Sequence, residues 1–165
     1  MFLDIDGSNN VAVDQKGTGD HYAEITLTDS HNVDVTQDGS GDHNATINLS
    51  GNTLNILQDG DDNLIIGTDL TSSAVINGDN NALDLDQIGN DNVLGLDIVG
   101  SSNNVAVTQN EDQRAKLSIT GNSNNVDLDQ SAINYVGEHY MSVIIAGNSN
   151  AVDVDQTEQE IKNCF

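Results

Sequence analysis

Apolar and polar residues alternate along this chain in short runs, and each run closes on a glutamine. Asn10-Val11-Ala12-Val13-Asp14-Gln15 is the first run, and Asn32-Val33-Asp34-Val35-Thr36-Gln37 repeats it. Later copies end at Gln58, Gln87, Gln109, Gln130 and Gln156, with spacings of 22, 21, 29, 22, 21 and 26 residues. Four and two places before each glutamine stand Val11/Val13, Val33/Val35, Leu54/Ile56, Leu83/Leu85, Val105/Val107, Val126/Leu128 and Val152/Val154. Val, Leu and Ile fill about a quarter of the chain, so fourteen aliphatics in these places would arise by chance about once in 10⁸. Of the fourteen residues between them, eight are Asp and none is basic. A period of two with one apolar face predicts β-strands that bury one side only.

A second, looser strand lies between successive glutamine strands. Its apolar residues are Ala23/Ile25/Leu27, Ala45/Ile47/Leu49, Leu64/Ile66, Leu94/Leu96/Ile98, Ala115/Leu117/Ile119 and Met141/Val143/Ile145. Turns rich in Gly, Asn and Asp, such as Asp38-Gly39-Ser40-Gly41 and Ser50-Gly51-Asn52, separate the strands, as backbone with φ > 0 requires. One strand–turn–strand unit cannot bury its own apolar face, so successive units must stack. The expectation is an all-β solenoid (β-helix) of about seven such repeats over residues 1–156, with amyloid-like cross-β stacking. A short, helix-like tail follows at 157–165. The two long gaps predict insertions near 69–73 and 133–139. The N-terminal side shows no capping repeat, and uncapped ends are templates for another chain.

Composition changes this picture in one respect. The formal charge of −23 and low hydropathy would otherwise suggest disorder, but disordered acidic segments do not repeat a buried pattern. Nucleic acid and anionic membrane surfaces are poor partners for so acidic a chain, so no nucleic-acid partner is expected, and no apolar run is long enough for membrane insertion. A single cysteine, Cys164, excludes an intramolecular disulfide framework. Met1 leads almost at once into strand-like sequence, without the basic and apolar regions of a secretion leader.

The repeat resembles that of the curlin family, the extracellular amyloid subunits of bacterial curli fibres. Residues Asn32-Val33-Asp34-Val35-Thr36-Gln37-Asp38-Gly39-Ser40-Gly41-Asp42-His43-Asn44-Ala45-Thr46-Ile47 match the family pattern of alternating strand, Gln, Gly-rich turn, Asn and second strand. Ala82-Leu83-Asp84-Leu85-Asp86-Gln87-Ile88-Gly89-Asn90 matches its first half. Most repeats here lack the family's second glutamine and carry more Asp. The resemblance implies a β-solenoid subunit at the cell surface or outside the cell that polymerises with itself into biofilm-matrix fibres. It also implies a nucleator and a secretion or chaperone system as further partners.

Each residue class then acquires a candidate role. The fourteen aliphatics form the assembly core. Gln15, Gln37, Gln58, Gln87, Gln109, Gln130 and Gln156 form a stacking ladder of hydrogen bonds from layer to layer. Asparagines divide between the same role and left-handed turn positions. Asp84, Asp86, Asp127 and Asp129 are candidate ligands through which a divalent cation, Ca²⁺ foremost, bridges neighbouring layers, since hard cations take carboxylate oxygens. The reading weighed against it is a solvated acidic surface that limits clumping, with no cofactor. His21 and His43 each follow their glutamine by six residues and should stack, as a transition-metal pair or as plain turn histidines.

No Gly-x-Ser-x-Gly, His-Glu-x-x-His or phosphate-loop motif occurs, and an Asp repeated at every layer does not resemble a tuned acid/base pair. The expectation is therefore a non-enzymatic protein that adds to itself head to tail. Its rival is a monomeric acidic β-solenoid acting as a surface adhesion or calcium- or mineral-binding module. An ice-binding face is disfavoured by the mixture of Asp86, Thr108 and Asp129. A polysaccharide cleft is disfavoured by the scatter of Tyr22, Tyr135 and Tyr140.

Overall fold

The computed structural model of the chain describes residues 2–4, 9–26, 31–49, 53–72, 74–131 and 139–157. All regular structure among them is β-strand. The first strands are β1 (Phe2–Asp4), β2 (Asn9–Gly17), β3 (Tyr22–Thr26), β4 (His31–Gly39) and β5 (Asn44–Leu49). The middle holds β6 (Thr53–Asp59), β7 (Leu64–Ile66), β8 (Ala74–Asn77), β9 (Ala82–Ile88) and β10 (Val93–Val99). Then follow β11 (Asn104–Asn110), β12 (Gln113–Thr120), β13 (Asn125–Ser131), β14 (His139–Ala146) and β15 (Ala151–Thr157).

These strands build two parallel sheets. The glutamine sheet runs β2-β4-β6-β9-β11-β13-β15, and the facing sheet runs β1-β3-β5-β7-β10-β12-β14, with β8 beside β5 and β10. The chain passes from one sheet to the other and back, so neighbouring strands of a sheet are one coil apart. Seven strands in the glutamine sheet make six full turns of a β-solenoid. Register follows the repeat residue for residue: Gln15 pairs with Gln37, Gln58 with Gln87, and Gln130 with Gln156.

The core lies between the sheets as columns one residue wide. Val33, Val35, Leu54, Ile56, Leu83, Leu85, Val105, Val107, Val126 and Leu128 are all buried. Opposite them, Ala23, Ala45, Ile65, Leu94, Ala115 and Met141 form one column of the facing sheet. Each fully buried aliphatic contributes about 1.5–3 kcal/mol. The four expected core residues at the two ends, Val11, Val13, Val152 and Val154, pack on this cluster but are only partly buried. Each has a neighbouring layer on one side alone among the described residues.

Three sequence-based expectations need correction. In the third coil the inward residues are Ile65, Ala74 and Ile76, not Leu64 and Ile66. Leu64-Ile65-Ile66 offers no alternation from which to read a phase. The insertion then splits one strand in two, leaving β7 paired with the start of β5 and β8 with its end. The inserted stretch accordingly begins at Gly67, two residues earlier than expected, and its described part, 67–72, folds back over the outside of the facing sheet. Finally, Thr157 ends β15 rather than starting a helical tail. Residues 158–165, with Cys164, and most of the second insertion lie outside the described residues.

Six of the described turns between sheets share one pattern, and the β11–β12 turn departs from it with left-handed Glu111 and Asp112. Gly60, Gly78, Gly89, Gly100, Gly121 and Gly147 each have φ > 0, and two residues later stands a left-handed Asp62, Asn80, Asp91, Ser102, Ser123 or Ser149. An asparagine follows each: Asn63, Asn81, Asn92, Asn103, Asn124 and Asn150. At Gly100 the reason for glycine is plain. Its φ is +139°, and a Cβ there would lie 2.0 Å from the carbonyl oxygen of Gly121 in the next coil.

Candidate functional site: side-chain ladders and open edges

Inside the glutamine sheet all seven glutamines join in one chain of hydrogen bonds. Gln15 Nε2 donates to Gln37 Oε1 at 2.7 Å, Gln37 to Gln58 at 2.7 Å and Gln58 to Gln87 at 2.8 Å. Gln87 donates to Gln109 at 3.0 Å, Gln109 to Gln130 at 3.1 Å and Gln130 to Gln156 at 2.9 Å. The second N–H of each inner amide reaches a main-chain carbonyl of the facing sheet, as in Gln87 to Leu64 at 3.1 Å and Gln109 to Val93 at 3.2 Å. Gln37, Gln58, Gln87, Gln109 and Gln130 are fully buried, so these bonds replace all contact of the amides with water. The ladder therefore ties coil to coil and sheet to sheet. It is also directional: every link donates toward the C-terminal end.

Asparagines at the turns form two more ladders. Along one arc, Asn103 Nδ2 donates to Asn81 Oδ1, Asn124 to Asn103 and Asn150 to Asn124, each at 2.9 Å. The receiving oxygen in each pair also takes the main-chain N–H of the donating asparagine. On the other arc Asn92 Nδ2 donates to Asn63 Oδ1 at 2.9 Å, and Gln113 N continues to Asn92 Oδ1 at 3.0 Å. These links donate toward the N-terminal end, opposite to the glutamines. Composition alone left the asparagines divided between ladder and turn. The signal that sorts them is their distance from glycine: the residue two after Gly is left-handed, and the residue three after it is the ladder asparagine.

His21 and His43 occupy the same arc position in the first two coils as Asn63 does in the third. Their rings stack with centroids 5.0 Å apart and 7° between planes, so the expected stacking holds. Their ring nitrogens are buried without a hydrogen-bond partner. Burial, and then the neighbouring His21, push His43 below the ordinary histidine range. The carbonyls of Gly60 and Asp38 partly offset this by favouring the charged ring, although neither meets hydrogen-bond geometry.

The outward aspartates are arranged unevenly. Asp84 pairs in register with Asn55 and Ala106, and Asp86 with Leu57 and Thr108, so neither faces a carboxylate in the adjoining coils. Asn55 Nδ2 donates to Asp84 Oδ1 at 2.9 Å. The side-chain oxygens in register with Asp84 and Asp86 are those of Asn55 and Thr108. Asp127 and Asp129 do face Asp153 and Asp155. Partial burial, then Asp155 and Asp127, raise the Asp129 carboxyl above the usual range, and burial followed by Asp84 does the same to Asp86. Among the described residues no three His, Cys, Asp or Glu side chains converge on a point fit for a metal ion.

At the two ends of the stack the ladder is open. Among the described residues Gln15 Oε1 accepts nothing, while Gln156 Nε2 donates to nothing. Among the described residues, strands β2 and β15 are the edges of the glutamine sheet, each with one side unpaired. No family model, curated protein or solved structure matches this chain.

Proposed function

We propose that this chain is a structural subunit which adds head to tail to further copies of itself, building an extracellular, curli-like amyloid fibre. The observation that carries this reading is the complementarity of the two ends. Setting Gln15 of one copy on Gln156 of another places Val11 on Val152 and Val13 on Val154, and gives the Gln156 N–H the Gln15 oxygen. The junction then repeats the interior contact. Parallel edge strands supply main-chain donors and acceptors to each other, and the partly buried valines become fully buried.

Mechanism in this reading is templating. An ordered edge with its valine columns and glutamine ladder offers an incoming chain one register, because a slip by one residue would turn every valine outward. The curlin resemblance supports the extracellular setting and the matrix role. A non-enzymatic function follows from the same account, since the repeated side chains do identical work in every coil. Electron microscopy and fibre diffraction of the purified protein left at room temperature test it. Unbranched fibres with a meridional reflection near 4.8 Å are expected. A species that stays at 17.5 kDa by light scattering would instead favour a monomeric adhesion module.

A further inference from the structure

The two outer faces of the solenoid differ sharply. The glutamine sheet turns ten aspartates outward, Asp14, Asp34, Asp38, Asp59, Asp84, Asp86, Asp127, Asp129, Asp153 and Asp155, and its one outward cation, Lys16, is paired with Asp14 at 2.5 Å. The facing sheet is almost neutral: its described outward charges are Glu24, Asp97, Arg114 and Lys116, with Asp69 on the loop that lies over it. It also carries five of the six exposed large apolar residues among the described ones, Tyr22, Val75, Val99, Tyr140 and Ile144, the last 78% exposed. A near-neutral face set with exposed apolar side chains, opposite an intensely charged one, is the side of the solenoid that can be covered at least cost.

We infer that the outer face of the facing sheet docks a second copy of this chain, so that two solenoids lie side by side with their aspartate faces in water. Charge favours this pairing over any other between copies. Joining two aspartate faces would bring like charges together, and joining unlike faces would dehydrate ten carboxylates against two cations. Only the near-neutral faces meet without that cost.

The shape of the face is self-complementary. The insertion at 67–72 lies over β10 beside the buried Ile66 and approaches Gly95, where a Cβ would meet Thr68 Cα and Gly67 O at 3.2 Å. Thr68 N and Oγ1 and Val75 N donate to Asp97, which fixes the loop at both ends. Beside the loop, above β12 and β14, is a cleft of about 280 Å³ lined by Thr68, Lys116, Ser118, Ser142, Val143 and Ile144. Gly95, Lys116 and Ser142 share one register position, so knob and cleft sit at the same height along the strands. A two-fold axis parallel to the strands and passing between them seats each loop in the cleft of the other copy, as an isologous contact requires. Asp69 at the loop then approaches Lys116 of the other copy, and Lys116 has no carboxylate within 4 Å among the described residues of its own.

Area sets where the pairing is firm. Seven layers at about 4.8 Å and strands of about six residues at 3.3 Å give a face of roughly 700 Å² per copy, at the lower end of stable interfaces. Single chains therefore pair weakly, whereas filaments, in the part of this inference that rests on the assembly proposed above, pair along their length.

Ile144→Asp tests the inference, with Ile88→Asp on the aspartate face as its control. Electron microscopy of wild-type fibres should show filaments in pairs. Ile144→Asp should elongate at the wild-type rate but give single filaments, with the paired fraction down about tenfold or more, and Ile88→Asp should stay paired. Single wild-type filaments, or paired Ile144→Asp filaments, would overturn the pairing and leave head-to-tail growth intact. If neither protein forms filaments, the assembly reading fails. Sedimentation of the soluble chain then decides the pairing: a reversible dimer lost in Ile144→Asp upholds it, and a monomer at all concentrations overturns it.

Discussion

Gln87 donates its side-chain N–H to Gln109 Oε1 at 3.0 Å across 22 residues of sequence, and both amides are fully buried. A buried amide with both N–H groups and its oxygen engaged holds its coil in one register, because moving it leaves partners orphaned on both sides. Gln109→Leu should therefore be costly despite matching the apolar surroundings. It strips an acceptor from Gln87 and donors from Gln130 and the Val93 carbonyl. At about 1–3 kcal/mol for each unmet buried group, the expected loss is about 3 kcal/mol in urea unfolding followed by circular dichroism. A loss under about 0.5 kcal/mol would show that the ladder adds little.

Gly100→Ala combines two penalties, a left-handed backbone and a methyl group 2.0 Å from the Gly121 carbonyl oxygen. The adjoining coil must move, and the same clash would recur at Gly78 and Gly121 of this column. Thermal unfolding should show a loss above about 2 kcal/mol. Retention of the wild-type midpoint would mean that the coils are spaced more widely than described.

His43 makes the N-terminal coils acid-sensitive. Its folded-state pKa lies below the ordinary value of 6.5, so below that value the unfolded chain binds a proton that the folded chain resists. Stability is fully present above pH 6.5 and falls as the pH drops through the histidine range. Melting temperatures should decline between pH 7.5 and 6, and less so in His43→Asn, which places there the residue found at position 63. An unchanged slope in the variant would remove His43 as the cause.

The aspartate face acts in the opposite sense. Asp129 and Asp86 have raised folded-state pKa values, so their ionisation opposes folding. Stability and growth should rise as the pH falls through those raised values toward the ordinary carboxylate range near 4. Asp129→Asn should speed elongation at neutral pH about two- to fivefold and weaken its dependence on salt. Thioflavin-monitored growth in CaCl₂ and NaCl at matched ionic strength should be equal if screening is the whole effect, and faster growth in CaCl₂ would point to bridging at Asp127, Asp129, Asp153 and Asp155.

Much of this architecture was legible before any coordinates. The valine and leucine pairs keep a strict phase to their glutamine, so strand, facing and register all follow from one alignment of the repeat. Other features have no such phase. Leu64-Ile65-Ile66 is apolar at every position, and residues 67–73 separate it from the Ala74 and Ile76 that complete its strand. Asn80 and Asn81 are neighbours of one type, yet the first is a left-handed turn residue and the second a ladder member. The asymmetry of the two outer faces also escapes the sequence pattern. Ile144 reads as one more aliphatic beside Val143 and Ile145 until the strand is laid in its sheet and Ile144 is found on the outside.

A crosslink across the junction tests the central claim most directly. If β15 of one molecule receives β2 of the next in the register described, Asp155 and Asp14 of different copies are neighbours about 4.8 Å apart at Cα, within the span of a disulfide. A chain carrying Asp14→Cys, Asp155→Cys and Cys164→Ser, assembled and then oxidised, should give a ladder of covalent multiples of 17.5 kDa on non-reducing gels. Either cysteine alone should give none beyond dimer. Fibres of the double-cysteine chain that stay monomeric on that gel would contradict head-to-tail continuation of the solenoid.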